Sequence, residues 1–516
     1  MTERDGDPRF GFVVWANGPV AVYTELLSSL QSQREGSWQI FVVGGGSVPL
    51  LEAESRVTSL PSEPTLTAAV DAVLERGDID WLTVATLDGQ LSDTALEELS
   101  TAVELEKPDV IYSNESTGWG RDGRVLFKPD LSPERLRSQY YLGDFVFYRA
   151  GFLRDSGGLD ASLPGAELYD LALRASRSDA KFVHVRETLF HRPTDALPIG
   201  ALVGPDALNS AAQALSAHLD ATGGGVVNSV TASGVHATNR PVHGSPLVSI
   251  VIPTRGSLGN VRGKERSLVV DCIRSIVEKS TYGNYELIVV IDTVADPAVV
   301  DEIVKLAGDR LRLVWWDLPF NFSAKMNRGV FESQGEYVLF LNDDTEVISP
   351  GWIEPMLSLV QLPGGGMSGG MLYFEDESIQ HAGHIYEAGD AGHVGVNDMR
   401  GARGPAGSYL VEREVSGVTA ACSMMPRKVF DEVGGFSLLL PGNFNDVDLC
   451  MKVNQLGYTI YWTPRSELYH YESKTRVSRV ARYEVETAWG RWEWKLDDAT
   501  YWPYGGLPSA DELTAS

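Results

Sequence analysis

Glu336-Tyr-Val-Leu-Phe-Leu-Asn-Asp-Asp-Thr-Glu-Val347 is the stretch on which the fold turns. The apolar run from Tyr337 to Leu341 has no helical periodicity and reads as a strand covered on both faces. It stops at Asn342-Asp343-Asp344. Open α/β sheets bind their ligands beyond the carboxyl ends of such strands. Adjacent carboxylates there supply hard oxygen donors for Mg²⁺ or Mn²⁺ together with phosphates. A solvated acidic turn is the plainer alternative, and the stretch alone leaves both readings open.

Working outward, the same rhythm recurs. Upstream lie Leu247-Val-Ser-Ile-Val-Ile-Pro253, a polar loop over 254–266, and a helix expected over 269–278. Then come Tyr285-Glu-Leu-Ile-Val-Val-Ile291 closed by Asp292, the strand Leu311-Arg-Leu-Val-Trp315, and a helix over 323–331. Strands alternating with helices predict a parallel sheet. The first half repeats the pattern, with strands at 10–15, 38–43, 81–87 and 109–113 and helices at 20–33, 66–76 and 93–106. Between the halves, 194–245 is rich in Gly, Ser, Thr and Asn, with a helix over 205–221 that has Pro in its first turn and Gly223-Gly-Gly behind it. The expected organisation is a first domain over 1–195, a connector with one helix over 196–245, and a second domain over 246–516 with a helical tail.

The halves also match as a diverged repeat. Trp81-Leu-Thr-Val-Ala-Thr-Leu-Asp88 parallels Tyr337-Val-Leu-Phe-Leu-Asn-Asp-Asp344, and Gly157-Gly-Leu parallels Gly434-Gly-Phe. Tyr169-Asp-Leu-Ala-Leu-Arg174 parallels Val447-Asp-Leu-Cys-Met-Lys452, and Thr188-Leu-Phe-His191 parallels Glu467-Leu-Tyr-His470. Their shared order predicts two copies of one nucleotide-binding type of α/β fold.

Composition narrows the function classes. A formal charge of −27 argues against nucleic acid or an acidic membrane surface as a partner held by general electrostatics. Cys272, Cys422 and Cys450 are far apart in apolar surroundings and read as buried thiols. The amino terminus lacks the regions of a signal peptide, and no apolar run approaches the ~20 residues of a membrane span. A cytoplasmic protein is expected, with peripheral contact at the inner membrane face left open.

The second half resembles the family 2 glycosyltransferases of GT-A fold, above all those that build O-antigen, rhamnan and other bacterial surface polysaccharides. The matching residues are Val248-Ser-Ile-Val-Ile-Pro-Thr254, Ile288-Val-Val-Ile-Asp292, Pro319-Phe-Asn-Phe-Ser323, Leu341-Asn-Asp-Asp-Thr-Glu-Val347, Ile379-Gln-His-Ala-Gly383, Val433-Gly-Gly-Phe436, Phe444-Asn-Asp-Val-Asp-Leu-Cys450 and Glu467-Leu-Tyr-His-Tyr-Glu-Ser473. The first half resembles the degenerate GT-A-like domain that precedes the catalytic one in many such proteins.

The resemblance implies an inverting displacement that moves a sugar from a nucleoside diphosphate, UDP or dTDP, to a hydroxyl of a glycan or lipid-linked glycan. Asp344 and His470 would hold Mn²⁺ or Mg²⁺, and Asp446 would be the general base. Asp343 would face the ribose or the metal's water shell, and Asn342 departs from the family's first acidic position. Pro253, Thr254, Arg255 and Asp292 would line the nucleoside pocket. Asn321, Lys325 and Arg328 would contact donor phosphate or sugar, with plain helix charges the alternative for the last two. Asp448 would brace its helix, although spacing alone leaves the reverse assignment of Asp446 and Asp448 open. His381 and Trp352 are expected on the acceptor side; His381, His384 and His393 could be taken for a second metal cluster, but only His381 and His393 fit the family pattern, which places them in a loop near the acceptor rather than on a metal. The glycine-rich segment 389–407 is expected to be a mobile cover. Trp489, Trp492, Trp494 and Trp502 would pack a terminal helix or form a platform. In the first half, Leu87 and Leu168 stand where Asp343 and Asp446 would, so that domain is expected to be silent. A bifunctional transferase and a non-catalytic glycan-binding scaffold are the rivals. Leu168 counts against the first, and the set Asp344, Asp446 and His470 against the second.

Overall fold

Runs of Val, Ile and Phe become strands that bury both faces, and the helices between them supply the cover. The computed structural model describes residues 7–15, 20–43, 54–60, 65–83, 89–118, 123–193, 197, 199–471 and 480–504. Leu87 and Asp88 lie outside the described residues. The chain divides into two units, Met1–Asn239 and Arg240–Ser516.

In the second unit the sheet runs Leu311–Trp316, Tyr285–Asp292, Val248–Thr254, Tyr337–Leu341, Cys422–Pro426, Gly365–Tyr373, Thr459–His470, Thr345–Val347. The first four strands are mutually parallel, and Cys422–Pro426 is antiparallel to both of its neighbours. Side chains alternate between two cores with the period of a strand. Ile250, Leu287, Val289 and Leu339 face the helices Leu268–Lys279 and Ile353–Val360. Val251, Ile288, Val338 and Phe340 face Met326, Val330 and Phe430. Each such fully buried side chain contributes ~1.5–3 kcal/mol. The helix Phe322–Glu332 approaches the sheet closely because residue 329 is glycine, whose Cβ would lie 2.3 Å from Val251 Cγ1.

The first unit repeats this order. Val57–Ser59, Ser37–Val43, Arg9–Trp15, Trp81–Thr83, Val146–Arg149, Val110–Thr117, Phe182–Arg192 and Gln90–Leu91 succeed one another, again with the fifth strand antiparallel to its neighbours. The helix Gly204–Ala221, read from sequence as part of a connector, packs Ala207, Ala211, Ala214 and Leu215 into this unit's core beside the helix Glu167–Ser176.

All three cysteines are free and buried. Burial pushes the Cys272 thiol up to about 12 and the other two higher still, so none is a reactive thiolate at neutral pH. In the tail, Trp492 and Trp502 are buried while Trp489 and Trp494 are exposed. The segment over 389–407, expected to be mobile, is tied down: Arg400 bridges Glu377 and Glu467, and Tyr409 donates to Asp398. No helix among the described residues is long and apolar enough to cross a membrane.

Candidate active site

Beyond Leu341 the chain leaves the sheet, turns, and returns as Thr345–Val347 against Thr459–His470, with Thr345 opposite His470. That pairing brings His470 Nε2 to 3.2 Å from Asp344 Oδ1. The other ring nitrogen, Nδ1, lies 2.6 Å from Gln380 Oε1, an acceptor, so the hydrogen-bond network assigns the proton to Nδ1. Nε2 is then an acceptor that receives Asn342 Nδ2 at 3.1 Å and faces the Asp344 carboxylate. An acceptor aimed at an acceptor is relieved by a shared cation. Asn342 Oδ1 is also buried without a hydrogen-bond partner. Oxygen and imidazole donors, with the histidine oriented through its far nitrogen, fit a divalent ion of the Mn²⁺ or Mg²⁺ type.

Asp343 accepts from Thr254 Oγ1 at 2.5 Å. Burial, and then the charge of Asp344, pushes its carboxyl up to about 7.

The two aspartates of Asn445-Asp-Val-Asp448 have separate fates at the start of the helix Asn445–Gln455. Asp446 Oδ1 accepts from Val447 N at 2.9 Å and Oδ2 from Ala420 N at 3.3 Å, and its side chain is 20% exposed. Asp448 is fully buried, accepting from Trp492 Nε1 at 2.9 Å and pairing with Arg491 at 2.9 Å and Lys452 at 3.1 Å. One carboxylate faces a cavity and the other braces the fold.

That cavity, of about 640 Å³, is lined by Asp343, Asp344, Asp446 and His470 together with Pro253, Thr254 and Arg255. The Arg255 guanidinium lies 4.4 Å over the Phe320 ring. Residues 249–434, which hold most of this lining, match the model of glycosyl transferase family 2.

Over that stretch the second unit is similar to glycosyl transferase family 2.

An uncharacterized protein of Sinorhizobium fredii is 30% identical over 515 residues, covering 93% of this chain and 55% of that protein. The O-antigen biosynthesis protein RfbC of Myxococcus xanthus is 29% identical over 517 residues, covering 95% of this chain and 40% of that protein. The chain thus spans about half or less of the curated relatives it matches. Among solved structures, a mannosyltransferase from Pyrobaculum calidifontis in complex with GDP-Man and Mn²⁺ aligns at 14% identity and a TM-score of 0.33. The alignment covers 53% of this chain and 80% of that one.

Several residues that the family pattern suggested do not line the cavity. Lys325 is fully buried, its ammonium bound to the Asp292 carboxylate and, at 2.6 Å, to Thr254 O. These two residues form a strut beneath Thr254. Asn321 caps its helix by accepting from Ala324 N at 2.9 Å and donates to Leu438 O at 3.1 Å. Arg328, half exposed, pairs with Glu332 at 2.6 Å. Trp352 requires a correction. Its ring is 0% exposed in the core, with Nε1 donating to Ser280 Oγ at 2.9 Å, so no acceptor can reach it. His381 is likewise fully buried, against His393 and Thr419 N.

Sequence reasoning missed Gln380, which orients His470, and set aside His384, whose Nε2 lies 4.0 Å from Asp446 Oδ2. The family motif Ile379-Gln-His-Ala-Gly383 contains the first and ends one residue before the second. Burial lowers His384 to about 4 and holds His381 well below its ordinary value, so both rings are neutral at neutral pH.

Proposed function

We propose that the second unit catalyses metal-dependent, inverting transfer of a sugar from a UDP- or dTDP-sugar to a hydroxyl of a bacterial surface or cell-wall glycan, free or lipid-linked. The observation that carries this reading is one cleft shared by Asp344, His470, Asp446, Thr254 and Arg255. Mn²⁺ or Mg²⁺ held by Asp344 and His470 would neutralise the pyrophosphate as it departs. Pro253, Thr254 and Arg255 would wall the nucleoside end, with Arg255 offering a fixed positive charge to the diphosphate. Lys325 and Asp292 position that wall from below, and Asp343 holds it through the Thr254 hydroxyl. Asp446 would take the acceptor hydroxyl's proton as its oxygen attacks the anomeric carbon opposite the leaving diphosphate. Its backbone donors occupy one lone pair on each oxygen and leave others for the acceptor.

The polysaccharide assignment is supported by the name of the Myxococcus relative. Cytoplasmic work, with peripheral contact at the inner membrane face, accords with such an acceptor. The first unit, with Leu168 at the position of Asp446, would be non-catalytic.

The test is metal dependence. EDTA should abolish donor turnover and Mn²⁺ or Mg²⁺ should restore it. Thermal shifts on adding UDP or dTDP should require the metal and vanish in Asp344→Ala, because a ligand that binds the native state raises its apparent stability by mass action. Full turnover in chelator would overturn the metal assignment.

A further inference from the structure

Three imidazoles converge on the Asp446 side of the cleft. His381 ends the strand Ile379–His381, while His384 and His393 pair directly across the hairpin His384–Glu387/Asp390–His393. One ring nitrogen from each lies within 4.8 Å of the other two, and His381 Nδ1 is 3.0 Å from His393 Nδ1. Thr419 N donates to His381 Nε2 at 3.3 Å, a contact that a cation on Nδ1 would displace by shifting that ring's proton to Nε2, and Tyr386 Oη is 3.1 Å from His384 Nδ1. His384 Nε2 is thereby turned toward Asp446 Oδ2, at 4.0 Å.

The surroundings are shaped to this placement. A Cβ on Gly417 would lie 2.7 Å from His384 Nδ1 and 2.3 Å from Tyr386 Oη, so only glycine leaves the ring its place. The hairpin closes through Ala388 and Gly389, at φ +51° and +84°, a two-residue turn that fixes the cross-strand register. Three imidazoles with a carboxylate beside them match the donor set that suits Zn²⁺, Co²⁺ and Ni²⁺ far better than Mg²⁺ or Ca²⁺.

We propose that His381, His384 and His393 form a second cation site, selective for zinc-like transition ions, with Asp446 in reach as a fourth donor. It is distinct from the pair Asp344–His470. Gln380 serves one cluster and His381, the next residue, serves the other. An ion at the triad would share Asp446. If the transfer reading above holds, Zn²⁺ added to Mn²⁺-supplied enzyme should therefore inhibit. Binding itself does not depend on that reading.

The experiment titrates the full-length, chelator-treated chain with Co²⁺ and follows its visible d–d absorption in the presence of excess Mg²⁺. Wild type and Asp344→Asn should both develop the band. His384→Gln and His393→Gln, each checked for native circular dichroism, should bind Co²⁺ at least ~10-fold more weakly, the lower end of what loss of a supporting ligand partner costs. No band in wild type, a band lost in Asp344→Asn, or a band kept by both glutamine variants would overturn the site. Should the glutamine variants not fold, wild type and Asp344→Asn still decide. Failure of transfer alongside an intact cobalt band would count against the function and not against the site.

Discussion

The two units share one strand order and part company at the ends of their strands. The helix Glu167–Ser176 keeps Asp170 paired with Arg174 at 2.7 Å, four residues on, as Asp448 is paired with Lys452 at 3.1 Å in the helix Asn445–Gln455. The neighbouring position differs: Leu168 packs against the first core, whereas Asp446 opens on the cleft. The carboxylate preserved in both copies is the one that holds the helix in place. The one found only in the second copy faces the cleft. His191, the counterpart of His470, is held by Ser116 Oγ at 2.7 Å. Next to it the first unit carries a buried ionic cluster, in which Lys128 meets Glu115 at 2.6 Å and Arg192 meets Asp144 at 2.7 Å. A repeat that keeps its framework can thus exchange a cleft for an internal salt bridge.

The sharpest break in that comparison is Asp446→Asn. It keeps the shape and gives up one of the two backbone hydrogen bonds, but cannot take a proton, and should cut transfer by ~10²–10⁴-fold with donor affinity nearly unchanged. Asp448→Asn should chiefly lower stability. An inactive, well-folded Asp448→Asn beside an active Asp446→Asn would reverse the two roles.

Next is Lys128→Met, which leaves buried Glu115 with Arg192, at 3.7 Å, in place of its closest cation. Its denaturation midpoint should fall by the equivalent of ~3–5 kcal/mol. An undiminished midpoint would mean that this ionic cluster does not hold the first unit together. Gln380→Leu removes the group that orients His470 and should weaken Mn²⁺ affinity by ~10–100-fold, measured by calorimetry. Unaltered affinity would separate the histidine from the metal. The smallest effect is expected from His191→Ala, whose chemical step should be close to wild type in single-turnover assays. A loss of ~100-fold, the scale of a catalytic acid–base group, would give the first unit a site of its own.

Much of the fold was readable because buried strands are short apolar runs, and the repeat was readable because such runs recur in order. The motif Asn342-Asp343-Asp344 pointed to the cleft through its position at a strand end. Readings failed where the deciding partner lies far along the chain. Lys325 read as a donor contact or a helix surface charge, yet Asp292, 33 residues away, draws it into the interior. Trp352 follows a loop in sequence, and nothing local says that it fills the core under Ser466, whose hydroxyl donates to its carbonyl at 2.6 Å. The helix Gly204–Ala221 sits in a polar, glycine-rich segment, and only its small alanine face, spaced for close packing, hints that it belongs to the first core. Asn321 carried a legible capping signature that the family pattern led us to read as a ligand contact.

The adjacency of Gln380 and His381 bears on how this protein can change. Because neighbouring strand residues point to opposite sides, a single inserted or deleted residue in Ile379–His381 would exchange the partners of both groups at once. A change of length there would therefore cost both groups their partners. Relatives that differ in the acceptor they accept should differ in the loops around this strand while keeping its register, so that new specificities are reached by remodelling the rim and not the spacing within it.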